Sequence, residues 1–147
     1  MRDRYLFRGM SNGYWYYGAY LKHLPYTPYC CGPRPRDDEY KYLIIHDGPS
    51  DWGLPRDIVA TEVEPESIGL CSGVEDKNNT LIFEGDIVTA TNFDNQKVKG
   101  LVEVDEESGN FRVVYIPQVN DDNWDFLDRY YWEIIGNKFK NKELIEG

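Results

Sequence analysis

Short runs of aromatic and β-branched residues, each ended by Gly, Pro, Asn or Asp, constrain this chain more than any other feature. Such residues favour the pleated, half-buried surface of a β-sheet. The sequence has no helix-period apolar stripe of ten or more residues and no internal repeat. Many short strands separated by turns are typical of small barrels and sandwiches. We therefore predict a mainly β fold.

The positions of the turn residues predict where each strand lies. Asn12-Gly13 is a two-residue hairpin signal between an opening strand, Arg4–Arg8, and a return strand, Tyr14–Tyr17. Because proline removes backbone donors, we expect a loop over Leu24–Asp38, which holds four prolines. The other predicted strands are Tyr40–His46, Asp57–Val63, Leu81–Phe83, Ile87–Thr91, Val98–Val104, Phe111–Ile116 and Tyr130–Ile135. We expect Asn141 to cap a final short helical turn.

The strand that starts at Phe111 is apolar on both faces. Successive side chains of a strand point to opposite faces, so Phe111, Val113 and Tyr115 share one face. Val114 and Ile116 lie on the other face. Both faces of this strand are therefore expected to be covered, either inside a barrel or by a subunit contact.

Length and hydrophobicity favour one soluble domain over residues 1–147, or two very small domains that share a core. Hydrophobic residues make up 41% of the 147, which is enough for a core. No run reaches the roughly 18–20 apolar residues that a membrane helix needs. The start of the sequence lacks the apolar stretch of a signal peptide, so we expect a cytoplasmic protein.

The net charge of −10, from 26 acidic and 16 basic residues, disfavours nucleic acid as a partner. Proteins bind nucleic acid mainly by neutralising its phosphates with Lys and Arg. The basic residues cluster only modestly, at Arg2, Arg4 and Arg8, at Arg34 and Arg36, and at Lys138, Lys140 and Lys142.

The three cysteines, Cys30, Cys31 and Cys71, do not form a disulfide framework, because their number is odd and two are adjacent. Neither His23 nor His46 lies at zinc-finger spacing from them. We therefore predict buried or half-buried free thiols in a reducing compartment, and no metal and no cofactor.

Several ordered motifs of this chain resemble the YopX family, which is encoded by phages and prophages of Gram-positive bacteria. They are Arg4–Gly9, Val63–Gly69, Cys71–Asn78, Leu81–Val88, Trp132–Asn137 and Asn141–Leu144. Residues 63–147 match best, and the proline-rich segment 22–57 is particular to this chain. The resemblance implies a mainly β fold of unknown activity, and it implies no established catalytic residues.

Two residues depart from the family pattern. Asn79 stands where Gly is usual, and because Asn tolerates left-handed φ, we expect the turn to survive. Cys71 stands where a polar residue such as Gln is usual, which argues against a functional role for this position.

The motif residues have a sufficient structural explanation. Gly69 and Gly73 are expected to bracket a turn that leads into a bend at Asp76. Gly85-Asp86 resembles the diverging turn of SH3-like barrels, where Gly-Asp reverses the chain before a long strand. We interpret these five residues as fold-specifying and predict a YopX-like, short-stranded SH3-like barrel or sandwich.

No set of residues with catalytic spacing is present. His46 at a strand end is the best candidate for a base, and it needs a neighbouring carboxylate to serve as one. The acidic runs at Asp37–Glu39, Asp105–Glu107 and Asp121–Asp122 lack calcium-loop spacing. We therefore predict a protein that is not an enzyme.

Protein–protein contact is the function that the sequence favours. In Tyr14–Tyr17 alternate residues face opposite ways, so we expect one pair in the core and the other at a contact surface. The candidate surface residues are Trp15, Tyr17, Asp121, Asp122 and Trp124. The predicted role is that of a phage accessory protein with an unknown protein partner, or with further copies of itself as a homo-oligomer.

Three other functions remain open. The first is a small β-barrel that binds single-stranded nucleic acid, which requires its basic clusters to converge near exposed aromatics. The second is an acidic decoy that occupies the nucleic-acid-binding surface of a basic host protein. The third is an enzyme built around His46.

Overall fold

The computed structural model describes residues 6–117 and 122–146. These residues form eleven strands, two short 3₁₀ turns and one helix, so the mainly β class is confirmed. They divide into an N-terminal unit, residues 6–68, and a C-terminal unit, residues 69–117 and 122–146. The single domain expected from the sequence stays a prediction.

The N-terminal unit contains four antiparallel strands that lie in the order β4-β3-β2-β1. They are β1 Phe7–Ser11, β2 Tyr14–His23, β3 Lys41–Asp47 and β4 Ile58–Glu62. The predicted hairpin is confirmed, since Asn12 and Gly13 take φ of 51° and 83° between paired β1 and β2. The opening strand was misplaced: it runs to Ser11, and Arg4 and Tyr5 lie outside the described residues.

The proline-rich segment between β2 and β3 contains no strand, as predicted. A 3₁₀ turn, Asp37–Glu39, ends it. The Lys22 ammonium lies 2.8 Å from the Asp37 carboxylate, and the Arg36 amide donates to the Glu39 carboxylate at 2.6 Å. The first of these exposed contacts joins the loop to the end of β2, and the second lies within the loop.

The C-terminal unit contains seven strands and the short helix. They are β5 Gly69–Glu75, β6 Leu81–Phe83, β7 Asp86–Thr91, β8 Lys97–Val104, β9 Phe111–Tyr115, β10 Trp124–Phe126, β11 Glu133–Asn137 and α1 Glu143–Glu146. Five of the strands form an antiparallel sheet in the order β10-β9-β8-β7-β11, and β5 pairs with β6. In the described parts of the chain neither this sheet nor that of the N-terminal unit closes into a barrel.

The core of the C-terminal unit lies between these strands. It consists of Ile82, Val88, Ala90, Val102, Val113, Leu127 and Trp132. Burying each large side chain contributes about 1.5–3 kcal/mol. The Trp132 indole donates to the Leu127 carbonyl at 2.8 Å, which satisfies its polar atom inside the core. Phe111 and Tyr115 pack against this core on the same side of β9 as Val113, as predicted.

Three boundary predictions for this unit were wrong. Gly69 and Gly73 do not bracket a turn but lie within β5, whose register shifts between Cys71 and Glu75. The last strand begins at Glu133 rather than Tyr130. Strand β10 lies in a stretch where the sequence predicted no strand; it pairs with β9 through Trp124 and Val114.

Candidate interaction surfaces

Strands β2, β3 and β4 present one apolar face, which we call the apolar sheet face. Ala19 pairs with Ile45, which pairs in turn with Ala60, and Leu21 pairs with Leu43. Directly paired residues share a face, and so do residues two apart along a strand. The face consists of Tyr17, Ala19, Leu21, Leu43, Ile45, Ile58 and Ala60.

None of these seven side chains is buried. Tyr17 is 48% exposed, Leu21 41% and Ile58 78%, and Leu43 and Ile45 are half-buried. On the opposite face, Ile44 is fully buried. Antiparallel sheets usually place polar residues on their solvated face, so an apolar solvated face is a departure that marks interaction surfaces.

Charged residues border the apolar sheet face. Lys41 and Asp47 lie at the two ends of β3, and both are exposed. Glu62 pairs with Leu43 on β4, and His23 pairs with Lys41 on β2. An apolar centre with a charged border is the usual composition of a protein–protein interface.

The aromatic run Tyr14–Tyr17 does not divide into a core pair and a surface pair, so that prediction was wrong. Tyr14 is 72% exposed and Tyr17 is 48% exposed, although they point to opposite faces. Trp15 and Tyr16 are half-buried. The Arg8 guanidinium lies 4.5 Å from the centre of the Trp15 ring. Tyr17 therefore belongs to the apolar sheet face, and the Trp15 ring beside it is covered by the Arg8 guanidinium.

The acidic part of the predicted surface lies on the other unit. Trp124 is half-buried in β10, edge-on to Phe126 at 5.2 Å, with the Arg112 guanidinium 5.7 Å from its ring. Asp122 is exposed just before it. Asp121 lies outside the described residues. The four described residues of the predicted surface thus belong to two different units.

Asp76 joins a turn to a distant strand within the C-terminal unit. One carboxylate oxygen accepts the amides of Asn78 and Thr80, each at 2.9 Å, and the other accepts that of Ile134 at 3.2 Å. Burial by itself raises the pKa of Asp76, but these amide donors outweigh it and lower the pKa. Asp76 is therefore an ionised, buried anchor.

Gly85 and Asp86 form the reversal between β6 and β7. Gly85 has φ of +91°, its amide donates to Val102 at 2.8 Å, and its carbonyl accepts the Lys138 amide at 2.8 Å. The Asp86 carboxylate accepts the Phe83 amide at 2.8 Å. These backbone bonds give both residues a structural role.

The two glycines of β5 also meet backbone requirements. A Cβ on Gly69 would lie 2.5 Å from the Glu84 carbonyl oxygen, so a side chain does not fit there. Gly73 has φ of 75° where the β5 register shifts. Both observations agree with a fold-specifying role for the motif.

His46 is held by neutral partners. Its Nδ1 lies 2.9 Å from the Asp47 carbonyl oxygen and its Nε2 2.7 Å from the Thr61 hydroxyl. Since a carbonyl only accepts, Nδ1 donates to it, and Nε2 shares a hydrogen bond with the Thr61 hydroxyl. The ring also packs against Tyr16, with centroids 5.0 Å apart. This set of contacts is a packing arrangement within the sheet.

The cysteines depart from the prediction of buried or half-buried thiols. Cys71 is buried, but Cys30 and Cys31 are exposed, with their sulfur atoms 3.6 Å apart. In residues 6–117 and 122–146 no three His, Cys, Asp or Glu side chains are grouped as a metal would require.

A cleft of about 510 Å³ opens beside β8 and β9 in the C-terminal unit. The Tyr115 hydroxyl donates to Asp125, whose carboxylate also lies 3.4 Å from Arg129. Burial first, and then this bond to Asp125, raise the pKa of Tyr115. The Lys99 ammonium donates to the Leu144 carbonyl at 2.6 Å. Two polar groups that line the cleft, Tyr115 and Asp125, therefore bind each other.

A family model described as YopX protein matches residues 37–146. The match covers most of the chain, so this protein belongs to the YopX family. It includes residues 37–57, which the sequence analysis placed in a segment particular to this chain. Comparisons with curated proteins and with solved structures find no match.

Among the residues that the structure describes, no helix is both long enough and apolar enough to cross a bilayer.

Proposed function

We propose that this YopX family member is a non-enzymatic accessory protein of phage or prophage that acts by protein–protein contact. The apolar sheet face is its contact surface. The observation that carries the proposal is the exposure of Tyr17, Leu21 and Ile58 on a face whose neighbouring side chains are also apolar.

Exposure of these apolar side chains to water is unfavourable, and a partner that covers them makes their burial a source of binding free energy. Complete burial of one large apolar side chain contributes about 1.5–3 kcal/mol. A stable interface buries about 800 Å² on each partner, so the apolar sheet face would form the centre of the contact and its charged border would contribute the rest. Tyr17, as an exposed tyrosine, is the kind of residue that dominates interface energies.

The environment of His46 supports the non-enzymatic part of the proposal. A general base needs a proton to abstract within hydrogen-bond reach of a free lone pair. Both nitrogens of His46 are already bonded, Nδ1 to the Asp47 carbonyl and Nε2 to the Thr61 hydroxyl. The SH3-like barrel likewise stays a proposal, resting on the Gly85-Asp86 reversal.

The test compares two cationic substitutions of exposed or half-exposed apolar residues. Ile45→Lys places an ammonium at the centre of the apolar sheet face. Trp52→Lys places one on a fully exposed residue of the loop between β3 and β4, outside the paired strands of that face. Purified protein is followed by sedimentation velocity, alone and with host extract, after circular dichroism has confirmed the fold of both variants.

We expect Ile45→Lys to abolish association and Trp52→Lys to preserve it. If both variants associate as the unmodified protein does, the apolar sheet face is not the contact surface.

A further inference from the structure

We propose that the apolar sheet face binds a second copy of this chain, with β3 of one copy antiparallel to β3 of the other. The inference rests on the proposed function and names its partner. It follows from the outward side chains of one strand, which are Lys41, Leu43, Ile45 and Asp47 in that order. One end carries a positive charge, the other a negative charge, and the two central residues are apolar.

This order is self-complementary. In a twofold symmetric dimer the same patch meets itself, so residue i faces residue j and residue j faces residue i. If the axis runs across the strands, Lys41 faces Asp47 of the second copy, and Leu43 faces Ile45. Opposite charges then meet at both ends, with the apolar residues between them.

The alternative symmetric arrangement is penalised by charge. If the axis runs along β3, Lys41 faces Lys41 and Asp47 faces Asp47, and like charges repel at both ends. The charge order of β3 therefore selects the antiparallel dimer over the parallel one.

The neighbouring strand β2 fits the same arrangement. Ala19 pairs with Ile45, and Leu21 pairs with Leu43, so the axis that relates the β3 strands also sets Ala19 against Leu21. A small residue then faces a large one, which lets two sheet faces interdigitate at their usual spacing of about 10 Å. Tyr17 faces His23 at the border, where a phenol and an imidazole suit partial hydration.

Two charge reversals test the partner and the register together. Lys41→Asp makes both end contacts of its own dimer repulsive, and Asp47→Lys does the same. An equimolar mixture of these two variants forms mixed dimers in which both end contacts are attractive again. The matched control, Lys140→Asp, reverses an exposed charge on the other unit.

Sedimentation equilibrium at low salt measures each dimer constant. We expect each single variant to dimerise about tenfold more weakly or worse, and the mixture to recover the unmodified affinity. The double variant carrying Lys41→Asp and Asp47→Lys on one chain should also recover it, and Lys140→Asp should leave it unchanged.

Each contrary result overturns a definite part of this inference. A mixture that stays as weak as its components excludes the antiparallel register. An unmodified protein that is monomeric at every concentration excludes the second copy as partner. In that case the proposed function survives only if Ile45→Lys still abolishes binding to a host protein, so the two failures are distinguishable.

Discussion

The carboxylate of Asp76 accepts a hydrogen bond from the backbone amide of Ile134, a residue 58 positions further along the chain. The same side chain holds the turn between β5 and β6 through Asn78 and Thr80. One buried anion thus satisfies three amide donors and ties the first hairpin of the C-terminal unit to its last strand. Asp76 therefore has a structural role that connects distant parts of the C-terminal unit.

Asp76→Asn is expected to lower the free energy of unfolding by about 2–3 kcal/mol. The amide side chain has one acceptor oxygen instead of two, and hydrogen bonds to a charged group are worth about 1.5–3 kcal/mol. Urea denaturation at neutral pH measures the change. The matched control is Asp94→Asn, an exposed position where we expect a change within about 0.5 kcal/mol. Equal stability of the two variants would contradict the anchoring role of Asp76.

The same bonds predict how stability depends on pH. The pKa of Asp76 is lowered in the folded state, so its contribution is fully present above the unfolded pKa of about 3.9. It is lost as the pH falls through the lower folded pKa. Between pH 5 and the acid limit of the fold, the unmodified protein should lose more stability than Asp76→Asn, measured by urea titrations at stepped pH. Parallel losses would show that Asp76 is not the group that titrates.

Asn79 tests how the family turn tolerates a residue other than glycine. It has φ of 63°, so the turn survives with Asn, as the sequence predicted. Asn79→Gly should change the free energy of unfolding by less than about 0.5 kcal/mol, since both residues accept left-handed φ. Asn79→Val should cost more than about 1 kcal/mol because a β-branched residue is strained there. Thermal unfolding of both variants distinguishes a backbone role from a side-chain role. A large loss of stability in Asn79→Gly would contradict the backbone role and show that the Asn79 side chain is needed.

We expect no binding of single-stranded DNA or RNA at tens of micromolar protein and low salt. Binding requires cations that are available to phosphates. Several cations of the described residues are instead paired with carboxylates, namely Lys22 with Asp37, Arg36 with Asp38, Lys77 with Glu133, Arg112 with Glu103 and Arg129 with Asp125. Fluorescence anisotropy of labelled oligonucleotides measures this binding. A saturable, salt-sensitive rise would instead favour the nucleic-acid-binding alternative.

The sequence predicted the local features of this fold well, because short-range chemistry determines them. Asn12-Gly13 takes positive φ at both residues, and a hairpin follows whatever packs around it. Strand β10 was missed because three residues among acids carry no period-2 pattern of their own, and pairing with β9 decides their conformation. Gly73 was assigned to a turn because glycine readily adopts positive φ. The register shift within β5 also requires a positive φ, so the residue type alone does not distinguish a turn from an irregular strand.

The apolar sheet face was missed for a different reason. Alternation along β2 and β3 shows that both faces are apolar, as Ile44 and Ile45 illustrate, but it does not show which face is covered. That depends on the rest of the fold, which buries Ile44 completely and leaves Ile45 half-buried. The sequence placed the two-sided surface on β9 instead, where Val114 is half-buried.

Hydroxyl-radical footprinting of the assembled and the dilute protein tests the central claim most directly. Oxidation of Tyr17, Leu21 and Ile58 reports on the apolar sheet face, and oxidation of Tyr29 and Trp52, both highly exposed elsewhere, is the internal control. We predict that assembly, with itself or with a bound partner, protects the first three residues several-fold and leaves the controls unchanged. Unchanged oxidation of Tyr17, Leu21 and Ile58 in an assembled sample would contradict the account.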